Sequence, residues 1–336
     1  MDQEQTRIAV IGVGYLGRFH CQKLSRMPKA QLVGVVEVDP ERAKAAAGEF
    51  GVKAFNDHQE IIDQVDAVTV VTPTVNHFAV AADFLAAGKD VFCEKPITST
   101  LEEADKLIAL AEEKARILQV GHLERYNPAV EAMMERVRRP LFIECNRIAP
   151  FKARATDVDV VLDLMIHDLD IILALAGGEP KEIRAVGVPV LGPHADIVNA
   201  RLEFPSGCVA NVTASRLALK EERKMRVFQP DAYLSLDFAK RRLLVVEGVE
   251  YRPGKKPKVK ADRPRFGKND PLEDELKSFV ESVRTRTPPR VGGADGRRAL
   301  ACALAVREKA QAGFDGWESY LEASRRWVET APPEGG

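Results

Sequence analysis

Asp163, His167 and Asp170 stand four and three residues apart inside an otherwise apolar run, 158–175. On a helix that spacing stacks the three on one face, and Asp159 extends the stripe by a turn. The other faces of the run read as Val, Leu, Met and Ile. An imidazole titrating near neutrality suits removal of a hydroxyl proton while hydride leaves the same alcohol carbon. His167 is therefore the expected proton-transfer group, with Asp163 orienting the ring or a substrate hydroxyl. Two plainer readings stay open: a satisfied core histidine, or a metal site, since Asp-x-x-x-His also places two ligands on one face. None of the other five histidines has an obvious partner along the sequence.

A second cluster lies near the N-terminus. Gly12-x-Gly14-x-x-Gly17, with Tyr15 and Leu16 inside it, follows a short apolar run and precedes a helical pattern. Glu37 ends the next apolar run, 37 − 17 = 20 residues further on. Glycines here permit a tight turn and the close approach of a pyrophosphate, and a carboxylate at the following strand end accepts from ribose hydroxyls. That carboxylate repels a 2′-phosphate, so NAD is favoured over NADP. The alternative is an α/β domain with an empty nucleotide site. Thr72-Pro73 follows the third strand on the cofactor side, and His77, at the start of the next helix, is expected with them among the cofactor-binding residues, bonding there rather than catalysing. Glu94-Lys95-Pro96 falls at the end of the fourth strand, where open parallel sheets place ligands. Lys95 there can bond a substrate hydroxyl or lower the pKa of a neighbouring acid; it also reads as a surface lysine beside a loop proline.

These groups need elements to hold them. Strands at 7–11, 31–38, 67–71, 90–93 and 117–120 alternate with helices at short loop lengths, the pattern of a doubly wound parallel sheet. After about His122 the pattern changes. Past the polar-striped helix come alternating segments at 182–190, 198–204, 209–215, 223–228, 233–238 and 241–247. They suggest a large, mostly antiparallel open sheet with helices on one face and an oligomer interface on the other. The stretch 255–269, rich in Lys, Arg and Pro, reads as an exposed loop. Asp270-Pro271 starts a helix, and another runs over 294–312. The expected division is a Rossmann domain over 1–122, an α+β substrate and oligomerisation domain over 123–290, and C-terminal helices over 291–330 that pack back on the Rossmann domain. Trp317, Tyr320 and Trp327 read as packing anchors.

Length and composition set the outer bounds. The 336 residues suffice for two domains. With 49 basic and 50 acidic side chains, nothing in the charge points to nucleic acid or a membrane surface. Five scattered cysteines without a C-x-x-C pair read as reduced thiols of a cytoplasmic protein. There is no secretory signal pattern at the N-terminus and no bilayer-length apolar run.

Together these residues resemble the Gfo/Idh/MocA oxidoreductases. The similarity rests on IGVGYLGRFH (11–20), TPTVNH (72–77), CEKPIT (93–98), GHLERYNPAV (121–130) and DLMIHDLD (163–170). It implies an N-terminal Rossmann domain, a C-terminal domain with an open sheet, and NAD(P)-dependent redox chemistry on a sugar-like substrate. Lys95, Asp163 and His167 would correspond to the family's substrate-contacting lysine and catalytic pair. Arg125, Tyr126 and Asn127 would reach the substrate. The stretches at 121–130 and 156–170 look most like the members that oxidise the 3-hydroxyl of UDP-N-acetylglucosamine, in which case Arg154 would meet the diphosphate. No metal is implied; the open face of the C-terminal sheet leads us to expect a homodimer or homotetramer through it. A dehydrogenase of a free sugar or inositol, or a dinucleotide-binding regulator without turnover, are the competing expectations.

Overall fold

The computed structural model describes residues 5–150, 159–191, 194–250 and 258–313, with backbone alone at 249–250. Arg154 and the three C-terminal aromatics fall outside the described residues. Two compact units are present: one runs to Glu135 and takes in Pro264–Ala301, the other holds Arg136–Arg263 and the chain from Cys302.

In the first unit the short apolar runs become parallel strands, the central ones buried on both faces as crossover helices require and the short edge strand largely exposed. They are β1 (Thr6–Ile11), β2 (Ala30–Val36), β3 (Lys53–Phe55), β4 (Ala67–Val70), β5 (Asp90–Glu94) and β6 (Leu118–Gly121). The sheet order is β3-β2-β1-β4-β5-β6, with every pairing parallel. The short edge strand β3 is an addition to the five expected; three residues carry too little pattern to be read. β2 stops at Val36 and leaves Val38 exposed, because Asp39 turns the chain by capping the next helix.

The helices are α1 (Tyr15–Leu24), α2 (Pro40–Phe50), α3 (His77–Ala86), α4 (Leu101–Glu113) and α5 (Pro128–Arg136). Their starts follow from capping chemistry. The Asp39 carboxylate accepts from Glu41 N–H and Arg42 N–H to open α2, and Thr100 with Glu103 forms a reciprocal capping box on α4.

The second unit is built on eight strands in the order β14-β13-β12-β11-β7-β10-β9-β8. They are β7 (Phe142–Ile148), β8 (Glu182–Val188), β9 (Ile197–Glu203), β10 (Val209–Ser215), β11 (Glu222–Gln229), β12 (Ala232–Asp237), β13 (Arg242–Glu250) and β14 (Lys258–Asp262). Only β7–β10 is parallel. The sheet is thus mostly antiparallel, and the fold as a whole is α/β.

Two of these strands depart from the sequence reading. β7 sits at the centre of the sheet, yet its inward residues are Ile143, Cys145 and Arg147, and a buried arginine hides the alternation. β14 lies inside the segment expected to be a loop; all five of its residues are exposed at the sheet edge, so no apolar period marks it. Lysines at such an edge discourage pairing with another chain.

Inward side chains of this sheet, among them Val198, Leu202, Val212, Val227 and Leu234, are fully buried. They face α6 (Ile166–Ala176), which is entered through a π-helical turn, Val161–Met165.

Late in the chain, α7 (Pro271–Thr285) returns to the first unit. Its Leu276, Phe279 and Val280 join Ile8, Val10 and Leu24 in one core. The first helical residues of α8 (Gly293–Ala312) also belong to this unit.

Candidate active site

The glycines of the first βα turn have three separate reasons to be glycine. Gly12 has φ +91, and a Cβ on it would meet Val71 O at 2.8 Å. A Cβ on Gly17 would stand 1.9 Å from Gly12 O, so α1 leans directly on the turn. A Cβ on Gly14 would meet nothing within 4 Å. Open space therefore lies over the start of α1, where a pyrophosphate can come close. That helix start has no side-chain cap and no acid in its first turn, unlike α2 and α4. Its N–H groups and positive dipole end are left for an anion.

Glu37 lies beside this turn and is buried. One carboxylate oxygen accepts from Val13 N–H at 3.1 Å; the other accepts from Arg42 at 2.9 Å and from Asp39 N–H at 3.3 Å. Among the described residues the buried Thr72 Oγ1 has no hydrogen-bond partner, so the loop after β4 offers a hydroxyl. Tyr15 is well exposed and packs edge-on to Phe19; Leu16 is partly exposed, and Pro73 lies at the surface. Turn, helix start, carboxylate and hydroxyl together fit a dinucleotide.

Glu94 closes β5 and is more deeply placed than its motif suggests. Its carboxylate accepts Lys95 N–H at 3.3 Å and lies 3.2 Å from His20 Nε2. It also fills the space where a side chain on Gly121 would be, 2.8 Å from such a Cβ. Lys95 follows half-buried, with a cis bond to Pro96.

His77 is 1% exposed, and its ring lies between two main-chain carbonyls, Pro96 O at 2.8 Å from Nδ1 and Thr72 O at 2.9 Å from Nε2. Burial holds its pKa below the usual histidine range, against the upward pull of the two carbonyls and of Glu94. The ring thus supports the two loops from beneath.

Partners for histidines that the sequence does not reveal are present: His20 meets Glu94, and His58 meets Asp83 at 2.8 Å. In the first case 74 residues separate the two, so only the fold makes the pair.

The polar helix also differs from a plain α-helical stripe. Asp159 caps rather than extends it, accepting Val161 N–H at 2.7 Å. The π-helical turn then lies between Asp159 and α6, with Asp163 in it and His167 just beyond. Such turns shift side-chain direction and recur at functional sites. Asp163 and His167 are half-buried and Asp170 is buried.

Asp168 corrects the expectation that the remaining faces are apolar. It is fully buried and takes two hydrogen bonds from Arg147 of β7, at 2.9 and 2.7 Å. The guanidinium also lies 5.1 Å from the Phe238 ring centroid.

Of the residues after β6, Arg125 is half-buried. Tyr126 is buried, with its hydroxyl donating to Ser278 Oγ at 3.3 Å and its ring under Arg290. Asn127 caps α5 by accepting Ala129 N–H. These last two side chains serve packing and capping inside the first unit. All five cysteines are buried and outside any disulfide; burial pushes Cys21 and Cys302 up to about 12 and Cys208 up to about 11, so these three are protonated thiols.

Residues 6–122 match the oxidoreductase family with an NAD-binding Rossmann fold, and residues 130–234 match the GFO/IDH/MocA C-terminal domain. The chain is 42% identical over 308 residues to the UDP-N-acetylglucosamine 3-dehydrogenase of Acidithiobacillus ferrooxidans, covering 91% of this chain and 97% of that one. The chain belongs to the Gfo/Idh/MocA oxidoreductase family.

A solved structure of the Acidithiobacillus ferrooxidans enzyme superposes on this family member with TM-score 0.86 at 40% identity, covering 93% and 99% of the two chains. The myo-inositol 2-dehydrogenase of Thermotoga maritima is more distant, 28% identical over 321 residues, 90% of this chain and 95% of that one. The protein is accordingly an NAD-binding dehydrogenase of this family. Among the described residues no helix is long and apolar enough to cross a membrane.

Proposed function

We propose that this oxidoreductase uses NAD in preference to NADP and oxidises a ring hydroxyl of a nucleotide sugar, the 3-hydroxyl of UDP-N-acetylglucosamine. The observation that carries the substrate assignment is the 42% identity, over nearly the full length of both chains, to an enzyme of that name. The buried Glu37 carboxylate beside the Gly-rich turn supports NAD.

In this reading Gly12, Gly14, Gly17 and the start of α1 cradle the pyrophosphate, and Glu37 accepts from the adenosine ribose. Thr72, Pro73 and Glu94 line the remaining cofactor path. Bound NAD supplies the hydride acceptor. Lys95 donates a hydrogen bond to the reacting hydroxyl and favours its deprotonation. His167 accepts the hydroxyl proton at a ring nitrogen, and Asp163 orients the imidazole and stabilises the cation that forms. Arg125 and Arg154 contact the substrate's polar groups.

The test is an NADH-absorbance assay of the purified full chain with UDP-N-acetylglucosamine, UDP-glucose and myo-inositol. Turnover with the first, and at least tenfold lower kcat/KM with the others, supports the assignment; preference for myo-inositol overturns it. His167→Ala is expected to lose roughly two to four powers of ten in turnover while still binding NADH. Near-normal turnover in that variant removes His167 from the mechanism.

A further inference from the structure

His77 stands where its ring can hold two loops at once. β4 and β5 are adjacent parallel strands. The chain leaving β4 carries Thr72, and the chain leaving β5 carries Lys95 and Pro96. Both loops lie at the C-terminal end of the sheet, the side on which open α/β sheets bind ligands. His77, the first residue of α3, reaches Pro96 O with Nδ1 at 2.8 Å and Thr72 O with Nε2 at 2.9 Å.

Carbonyl oxygens only accept, so a neutral ring donates its single N–H to one of the two and rests its other nitrogen against the second, while a protonated ring donates to both. The ring is almost fully buried, which removes water as a substitute partner. Pro96 O is one peptide beyond Lys95, and Thr72 O is on the residue whose hydroxyl has no partner among the described residues.

We propose that His77 is a positioning residue: its two ring nitrogens fix the spacing between the loop that meets the dinucleotide and the loop that presents Lys95. This rests on the reading above, in which Thr72 meets NAD and Lys95 meets substrate. His77 itself touches neither.

The two contacts can be removed separately. The amide nitrogen of Asn is as many bonds from Cα as Nδ1, and that of Gln as many as Nε2. His77→Asn therefore keeps a donor at Pro96 O and loses the contact with Thr72 O; His77→Gln does the reverse. The experiment is hydrogen exchange read by mass spectrometry on peptides covering 72–76 and 95–98, together with NADH titration and steady-state kinetics on the full chain.

His77→Asn is expected to speed exchange mainly in 72–76 and to weaken NADH binding roughly three- to tenfold. His77→Gln is expected to speed exchange mainly in 95–98 and to lower kcat roughly tenfold, with the smaller change in NADH affinity. His77→Ala is expected to do both; if it fails to fold, the Asn and Gln pair carries the test. A histidine that merely fills the core would give Asn and Gln variants with the same exchange pattern and no split between affinity and kcat, and that result overturns the proposal. A wild-type protein that binds no NADH would instead overturn the functional reading, while the exchange pattern would still judge the clasp.

Discussion

At the scale of single residues, the proposed preference for NAD rests on a pair and not on one carboxylate. Glu37 repels a 2′-phosphate, but the same carboxylate is paired at 2.9 Å with Arg42, whose side chain is more than half exposed. Removing the acid leaves a guanidinium at the ribose position, a good phosphate partner. Glu37→Ser alone is therefore expected to move the NADP/NAD ratio of kcat/KM toward NADP by roughly ten- to a hundredfold, the worth of one or two charge-assisted hydrogen bonds. Glu37→Ser with Arg42→Ala is expected to lose most of that gain. Equal ratios in the two variants would show that Arg42 has no part in the selection.

The residue scale is also where the sequence was most legible. The glycines, Glu37 and the E-K-P step stand close together in the chain, and each satisfies a local geometric demand. His20–Glu94 and His77–Pro96 were not legible, because their partners meet only once strands β1, β4 and β5 lie side by side in the sheet.

At the scale of elements, the helix that carries His167 is held to its sheet by a buried ion pair. Arg147 and Asp168 have side chains 3% and 1% exposed. Removing one partner strands a charge in the core, whereas replacing both by apolar groups avoids that cost. Arg147→Met is expected to destabilise the protein by about 3–5 kcal/mol in urea unfolding, and Arg147→Met with Asp168→Leu by much less. Additive losses in the double variant would contradict this account.

The same pair explains why β7 escaped the sequence reading. A central strand with an inward Arg does not alternate cleanly until its Asp is found. The Asp–x–x–x–His spacing was read as a regular helical stripe; the π-helical turn that interrupts it has no sequence signature.

A second buried pair makes the β8–β9 connection acid-sensitive. Asp196 is fully buried, which raises its pKa, but the N–H groups of Leu191 and Val190 and the Arg216 guanidinium overcome that and hold it below 3.8. A folded pKa below the ordinary one means the contribution is complete above 3.8 and is lost as pH falls through the lower folded value. In thermal melts between pH 5 and 2.5, Asp196→Asn is expected to start less stable and to lose less stability on acidification than the parent. Parallel pH profiles would show that another carboxylate governs the acid limb.

At the scale of the whole molecule, we propose that an apolar row on the outward face of the second sheet is a site of association. Strand pairing lines up Val209, Phe142, Phe228, Tyr233 and Val246 across five strands, through the registers Val209↔Phe142, Phe142↔Phe228, Phe228↔Tyr233 and Tyr233↔Val246. All five are partly or largely exposed, and the three aromatic rings lie 5.7 and 5.0 Å apart in sequence across the row. Alternation places their neighbours in the core, so the row cannot turn inward without moving every buried residue of the sheet outward. An apolar aromatic row of this extent on an open face favours association with a second copy. Homodimer or homotetramer formation through this face is the reading we favour. A charge at its centre would have to be desolvated on association. Phe228→Glu is expected to shift the protein to monomer in light scattering at micromolar concentration. A parent that is already monomeric, or a variant that keeps the parent's mass, would leave the row to another role.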